Sequence, residues 1–282
     1  MNSADSAAQG TATGVLRLGV ERAPSGRSVA VRQFHAGALR VMRPHYPDDS
    51  GQPVFTVVNP GGAYLGADTF EVEYDGGPGS SALLTTQSAT KVYRTPQGPA
   101  RQIQRFSLGP GARLEYVPDA LIAYDGAVFH QSTEVELTET SSLFLAESTT
   151  AGWSPDGAPF RFREIRLTTR VLREGRPLLW DNLVLRPELT PPGTTGWLEG
   201  HTHLLSVVAV HPDLDERVLQ AVRGIAVQHP QLEVGVSLLD GPGLLLRALG
   251  TSSQPLTELA REVGAWLRAD QTGQDPWDLR KH

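Results

Sequence analysis

His201 and His203 stand two residues apart, so on a strand both imidazoles would share one face and offer a metal two nitrogen ligands. Two histidines alone do not make a metal site, and the chain's other histidines are scattered. Gly61 and Gly66 have the Gly-x-x-x-x-Gly spacing of a phosphate loop. Such a loop needs a following Lys for the β/γ-phosphates and a Ser/Thr for magnesium. Ala67 and Asp68 occupy those positions, and a carboxylate there repels phosphate, so nucleotide binding at this turn is excluded. Asp119 and Asp125 flank a short apolar run at a spacing that would pair two carboxylates, although paired acids on a turn are more often solvated than catalytic. No Gly-x-Ser-x-Gly elbow and no His-Glu-x-x-His pair occurs. The remaining grouping is a recurrence of strand-borne acids among small polar neighbours: Asp68, Glu71 and Glu73; Glu115 and Asp119; Glu134 and Glu136; Glu147; Asp181. Most of these belong to solvated faces. Those that line a wet interior would hold a divalent transition metal loosely and let it go, because carboxylate oxygen binds such ions less firmly than imidazole or thiolate.

Composition narrows the field. With 282 residues the chain can bury a substantial core. It has no cysteine, which removes disulfides, thiolate metal sites and a cysteine nucleophile together. A net charge of -6 argues against a nucleic-acid partner. No stretch approaches the roughly 18 apolar residues of a membrane span. The first dozen residues, small and polar, lack a basic start and an apolar core, so a cytoplasmic location is expected.

The elements that must position these residues are mainly strands. Gly and Pro fall between short alternating runs. A polar, disordered tail is expected over 1–12, followed by a single β-rich domain over 13–282. A hairpin is expected over 14–21 and 28–34. Further strands are expected over 54–58, 69–74, 82–87, 91–95, 101–108, 113–117, 128–137 and 143–147. A long hairpin over 160–172 and 177–185 would turn at Glu174-Gly175. In 69–74, Phe70, Val72 and Tyr74 alternate with Glu71 and Glu73, so the two glutamates read as the solvated face. The turn-rich 187–196 is the one candidate internal boundary. After a strand over 201–210, Leu214, Val218, Val222 and Ile225 mark an amphipathic helix with Asp213 as its N-cap. Strands over 232–239 and 243–249 lead to a second helix, started at Ser253 and striped by Leu256, Leu259, Val263, Trp266 and Leu267. The reading is a mostly β protein with two helices near the C-terminus.

Several ordered blocks add a resemblance. Asn-Pro-Gly-Gly-x-x-x-Gly-x-Asp at 59–68 is followed by Thr-Thr-Gln-x-x-Thr-Lys-Val-Tyr-Arg-Thr at 85–95. Then come Leu-Glu-Tyr-Val-Pro-Asp at 114–119, Glu147 with Gly152-Trp153, Pro177-Leu-Leu-Trp-Asp181, Gly200-His-Thr-His203 and Pro276-Trp277. Their order and spacing resemble the UreD (UreH) family of urease accessory proteins over nearly the whole chain. Trp153 and Ala158 stand where many members carry Arg and Glu, and Asn182 where Arg is common.

That resemblance implies a many-stranded irregular β-barrel or β-helical stack with two helices and no catalysis of its own. It implies a scaffold that binds UreF, reaches the GTPase UreG through UreF, and docks on the urease apoprotein, with no nucleic acid and no membrane as partner. It implies no tightly bound cofactor but transient nickel(II). Asp68, Glu147 and Asp181 match acidic positions of the nickel path, and Thr90 and Lys91 match its Ser/Thr-Lys pair. Glu115 and Asp119 are expected to support the same tunnel, and Lys91 doubles as a salt-bridge partner for one of the acids. The alternative is a stand-alone β-rich carbohydrate-binding or hydrolase domain using paired acids and exposed Trp153 and Trp197.

Overall fold

The computed structural model describes residues 12–277 and 279; the expected tail lies almost wholly outside them. Seventeen strands and two helices follow one another. They are β1 (Gly14–Arg22), β2 (Ser28–Gly37), β3 (Arg40–Val41), β4 (Val54–Val58), β5 (Thr69–Gly76) and β6 (Ser81–Thr86). Next come β7 (Thr90–Val92), β8 (Ala100–Leu108), β9 (Arg113–Val117), β10 (Leu121–Ala123), β11 (Val128–Leu137) and β12 (Ser142–Thr149). The chain ends with β13 (Glu164–Arg173), β14 (Arg176–Leu185), β15 (His203–Val210), α1 (Glu216–Ala226), β16 (Glu233–Leu238), β17 (Gly243–Gly250) and α2 (Ser253–Thr272).

From β4 to β13 the longer strands alternate between two sheets, so each turn of chain adds one strand to each. Strands added by the same winding run the same way, and β1, β5, β8, β11 and β13 are accordingly parallel. So are β4, β6, β9 and β12. The seven-stranded sheet runs β14-β13-β11-β8-β5-β1-β2 and the ten-stranded one β16-β17-β15-β12-β9-β6-β4-β3, with β7 and β10 as a short side ladder. Among the described residues each sheet has two distinct end strands. The stack with two C-terminal helices is thus as expected, and it is two open sheets wound as a solenoid.

One apolar core fills the space between the sheets, and a second lies between the ten-stranded sheet and the helices. Period-2 alternation places Phe70, Val72 and Tyr74 inward, while Glu73 faces out to Arg17 at 3.0 Å. The β13–β14 hairpin turns at Glu174 and Gly175, both at positive φ. Strand β13 starts at Glu164, later than expected, because Phe160 takes a positive φ and donates its N–H to the Ala151 carbonyl at 2.7 Å, which turns the chain where extended backbone was expected. Helix α1 is capped by Asp215, whose carboxylate accepts from Val218 N, and not by Asp213. The segment after β14 carries Leu198 into the core between the sheets. Among the described residues no helix is long and apolar enough to cross a membrane.

Candidate functional site

The core between the sheets is not uniformly apolar. Strand β8 reads Ala-Arg-Gln-Ile-Gln-Arg-Phe-Ser-Leu, and Gln102 and Gln104 share the inward parity of Ala100, Phe106 and Leu108, leaving Ile103 on the outer face. Strand β11 likewise turns Gln131 and Thr133 inward beside Phe129 and Val135. Register aligns Gln104, Thr133, Thr169 and Asp181 in one row of the seven-stranded sheet. Across the core, Glu147, Ser206 and Arg247 form a row of the ten-stranded sheet. Beyond Gln104 the first row continues as Val72 and Leu16. A polar seam therefore occupies one half of the interior and the apolar core the other.

Hydrogen bonds run along this seam. Tyr64 Oη donates to Gln102 Oε1 at 2.9 Å. Gln104 Nε2 donates to the Tyr116 hydroxyl at 2.8 Å, and Thr133 Oγ1 donates to Gln104 Oε1 at 3.0 Å. Gln131 Nε2 reaches Thr133 Oγ1 at 3.3 Å and Glu147 Oε1 at 2.7 Å. Satisfied chains of this kind suit a buried position, where an unpaired polar group is costly. Glu147 nevertheless titrates high: burial pushes its carboxyl up to about 7, against the lowering effect of the Gln131 amide. Burial likewise raises the Tyr64 and Tyr116 phenols, with Asp68 and Glu147 adding to it, and keeps both neutral. Beside Glu147 lies a cavity of about 20 Å³ lined by Thr90, Gln102, Tyr116, Asp119 and Gln131, room for one water.

The anticipated residues fall in three places. Glu147, Thr90 and Asp119 meet at this cavity. Thr90 also borders, with Lys91, a second cavity of about 40 Å³ beneath the 59–64 turn. Asp119 Oδ2 accepts from Thr86 Oγ1 at 3.1 Å. Asp181 stands at the far end of the seam and joins the two sheets through Arg247, 2.5 Å away. Asp68 is engaged in its own turn, accepting from Leu65 N at 2.7 Å and Thr13 Oγ1 at 3.0 Å. Its neighbours Gly61 N and Ala67 N are bonded to Asn59 Oδ1 and the Gly98 carbonyl, so the turn presents no cradle of amides to a phosphate. Lys91 makes none of the ion pairs among the described residues. Glu115 lies away from the seam, on the helix-covered side of β9, where it accepts from Gln52 Nε2 at 3.1 Å and pairs with Arg113 at 2.7 Å and with Arg268.

The histidine pair is likewise engaged locally: His201 Nδ1 lies 2.9 Å from the Leu198 carbonyl and His203 Nδ1 2.9 Å from Thr202 Oγ1. Asp125 pairs with Arg94 and not with Asp119. Sequence reasoning passed over Gln102, Gln104, Gln131, Tyr64 and Tyr116. The available signal was parity, since glutamines at the inward phase of a strand contradict an all-apolar core.

The UreD urease accessory protein family model matches residues 12–281. The chain is 42% identical over 277 residues to a urease accessory protein UreD of Corynebacterium glutamicum (strain R), covering 95% of this chain and 98% of that one. It is 46% identical over 264 residues to the one of Arthrobacter sp. (strain FB24), covering 91% and 90%. To that of Staphylococcus epidermidis it is 31% identical over 247 residues, covering 86% and 89%.

Proposed function

The chain belongs to the UreD family of urease accessory proteins, and from that premise we propose that it passes nickel toward the urease apoprotein along its interior polar seam. The observation that carries this reading is the run of oxygen-bearing side chains between the sheets, from Tyr64 and Gln102 through Tyr116 and Gln131 to Glu147, in a molecule without cysteine. Amide, phenol and carboxylate oxygens make weak, exchangeable ligands for a borderline ion. Such an interior suits transit and not storage. Glu147 is the strongest donor of the set once ionised, and Asp119 and Thr90 share its cavity. Asp181 continues the path at the far end of the seam, and Asp68 with Lys91 borders its Tyr64 end. The protein acts as a scaffold and carrier, with nickel as cargo.

The partners in this reading are UreF, UreG through UreF, and the apoprotein. A groove of about 110 Å³ between α2 and the ten-stranded sheet, lined by Val117, Ala146, Leu205, Ala260 and Trp277, suits an apolar anchor from UreF. It adjoins the Glu147 cavity through the shared Pro118 and Ser148. The test is metal analysis of urease matured in cells carrying Glu147→Gln, beside a pull-down of the accessory complex. Reduced nickel and activity with an intact complex supports transit through the seam. Fully loaded urease from Glu147→Gln, Asp119→Asn and Asp181→Asn alike leaves the protein a scaffold only.

A further inference from the structure

The helices cover only the ten-stranded sheet, so among the described residues no element covers the outer face of the seven-stranded sheet. One register row on that face, Arg17, Glu73, Arg105 and Glu134, alternates in sign. Its charges serve one another: Glu73 lies 3.0 Å from Arg17 and 3.9 Å from Arg105. The next outward row changes character, with Gly19 and Ser107 flanking Asp75 and Glu136 at the end. Small residues here leave a trough of about 640 Å³ across the sheet. Its floor continues as glycine backbone, closed by Gly77 N to the Val20 carbonyl and Gly109 N to the Gly76 carbonyl, both 2.8 Å.

The charges around the trough are unequal. Its lining holds Glu21, Asp75, Glu136 and Glu174 against Arg32 alone. Asp75 is paired with Arg32, and Glu174 accepts from Glu139 N at 2.9 Å. Glu21 and Glu136 make no ion pair among the described residues. They lie on β1 and β11, three strand spacings apart across the sheet and, since Glu136 shares its row with Gly19, two residues apart along it, about 16 Å in all. That separation is too wide for both to chelate one cation. An extended chain advances about 13 Å in four residues and returns its side chains to the same side, and the length of a Lys or Arg side chain spans the remaining few ångströms.

The geometry points to a docking groove for an extended, cationic segment of a protein partner, with two Lys or Arg side chains four residues apart meeting Glu21 and Glu136. This surface is separate from the interior seam and does not depend on the nickel reading. Because both acids are solvent-exposed, the contacts give selectivity by spacing and are weakened by salt.

The probe is a fluorescein-labelled nonapeptide of Ser, Thr and Val bearing Lys at its third and seventh positions, read by fluorescence anisotropy on the full chain at low salt. Its comparison peptide has the same composition with the two Lys adjacent. The spaced peptide is expected to bind about tenfold more tightly. The double variant Glu21→Gln/Glu136→Gln removes that preference. A control double variant, Glu233→Gln/Glu258→Gln, loses the same net charge on the helix-covered half and keeps it. Equal binding of the two peptides to the natural chain overturns the proposal. So does a preference that survives in the trough variant, or one lost equally in the control.

Discussion

Glu115 and Tyr116 are consecutive on β9 and serve opposite faces of one sheet. Tyr116 accepts from Gln104 in the interior seam, while Glu115, 1% exposed, pairs under α2 with Arg268, also 1% exposed. Gln52 joins them, donating to Glu115 Oε2 and accepting from Arg268 Nη1 at 2.9 Å. The ion cluster thus ties α2 to the strand that carries a seam residue on its other side. Docking of the C-terminal helix and geometry of the interior are coupled through a single peptide bond.

Removing one member of that cluster leaves a buried charge without its partner. Glu115→Ala is expected to cost about 3–5 kcal/mol of unfolding free energy by urea titration. The joint change Arg113→Met/Glu115→Leu/Arg268→Met, which leaves none of the three paired charges orphaned, should recover most of it. A single variant as stable as the natural chain would show that the pair contributes nothing.

Gly264 on α2 faces the ring of Trp277, and a Cβ built there would overlap it. Gly264→Ala should therefore displace Trp277 from its place against Phe144, now an edge contact at 5.7 Å between centroids. The expected loss is about 1–3 kcal/mol, as for overpacked cores. A red shift of tryptophan emission reports the displacement directly, and an unchanged spectrum with unchanged stability counts against it.

Much of this was legible in the sequence and some was not. Alternation located most strands within a few residues, and Val54–Val58, Arg113–Val117 and Val128–Leu137 agree at both ends. The two helices followed from their apolar stripes, although Asp213 and Asp215 are both plausible caps and only the hydrogen bond to Val218 N decides between them. Pairing direction was not legible, because period-2 patterning is the same in parallel and antiparallel strands. Without it the rows that align Gln104 with Thr133, and Glu147 with Ser206, could not be drawn. Glu115 and Glu147 look alike as strand acids, yet strand parity and helix cover send one to the α2 side and the other to the seam. Short β3 and β10, of two and three residues, carry too little pattern to be seen.

A partner surface formed by C-terminal elements would ordinarily be tested by truncation. Deleting 255–282 here removes Leu256, Leu259, Val263 and Leu267 from the second core and Arg268 from Glu115. The truncated chain should be insoluble, so its loss of UreF would say little. Thr257→Arg at the exposed lip of the α2 groove is the cleaner change, since it blocks the groove from outside the core and leaves the ion cluster alone. It should abolish UreF pull-down from a soluble protein with an unchanged melting curve, and retained pull-down would move the interface elsewhere.

The last prediction concerns Glu147 and pH. Its carboxyl is raised from an ordinary 4.5 to about 7 by burial, so between these values the folded chain holds a proton that the unfolded chain has released. Stability must then fall as pH rises through that window, since the native state binds more protons than the denatured state. At about 1.4 kcal/mol per pH unit, the whole window corresponds to roughly 3 kcal/mol before solvent screening is allowed for. A glutamine at this position cannot ionise, so Glu147→Gln should leave stability near pH 5 almost unchanged and raise it at pH 8 by about 1–3 kcal/mol. Urea titrations of both proteins at the two pH values provide the check. The same substitution is expected to reduce nickel passage, so one carboxylate would lower stability and assist transport at once. If the two proteins show the same pH dependence, Glu147 is hydrated and ionised near pH 5 already, and its cavity is wetter than the packing around Tyr116 and Gln131 implies.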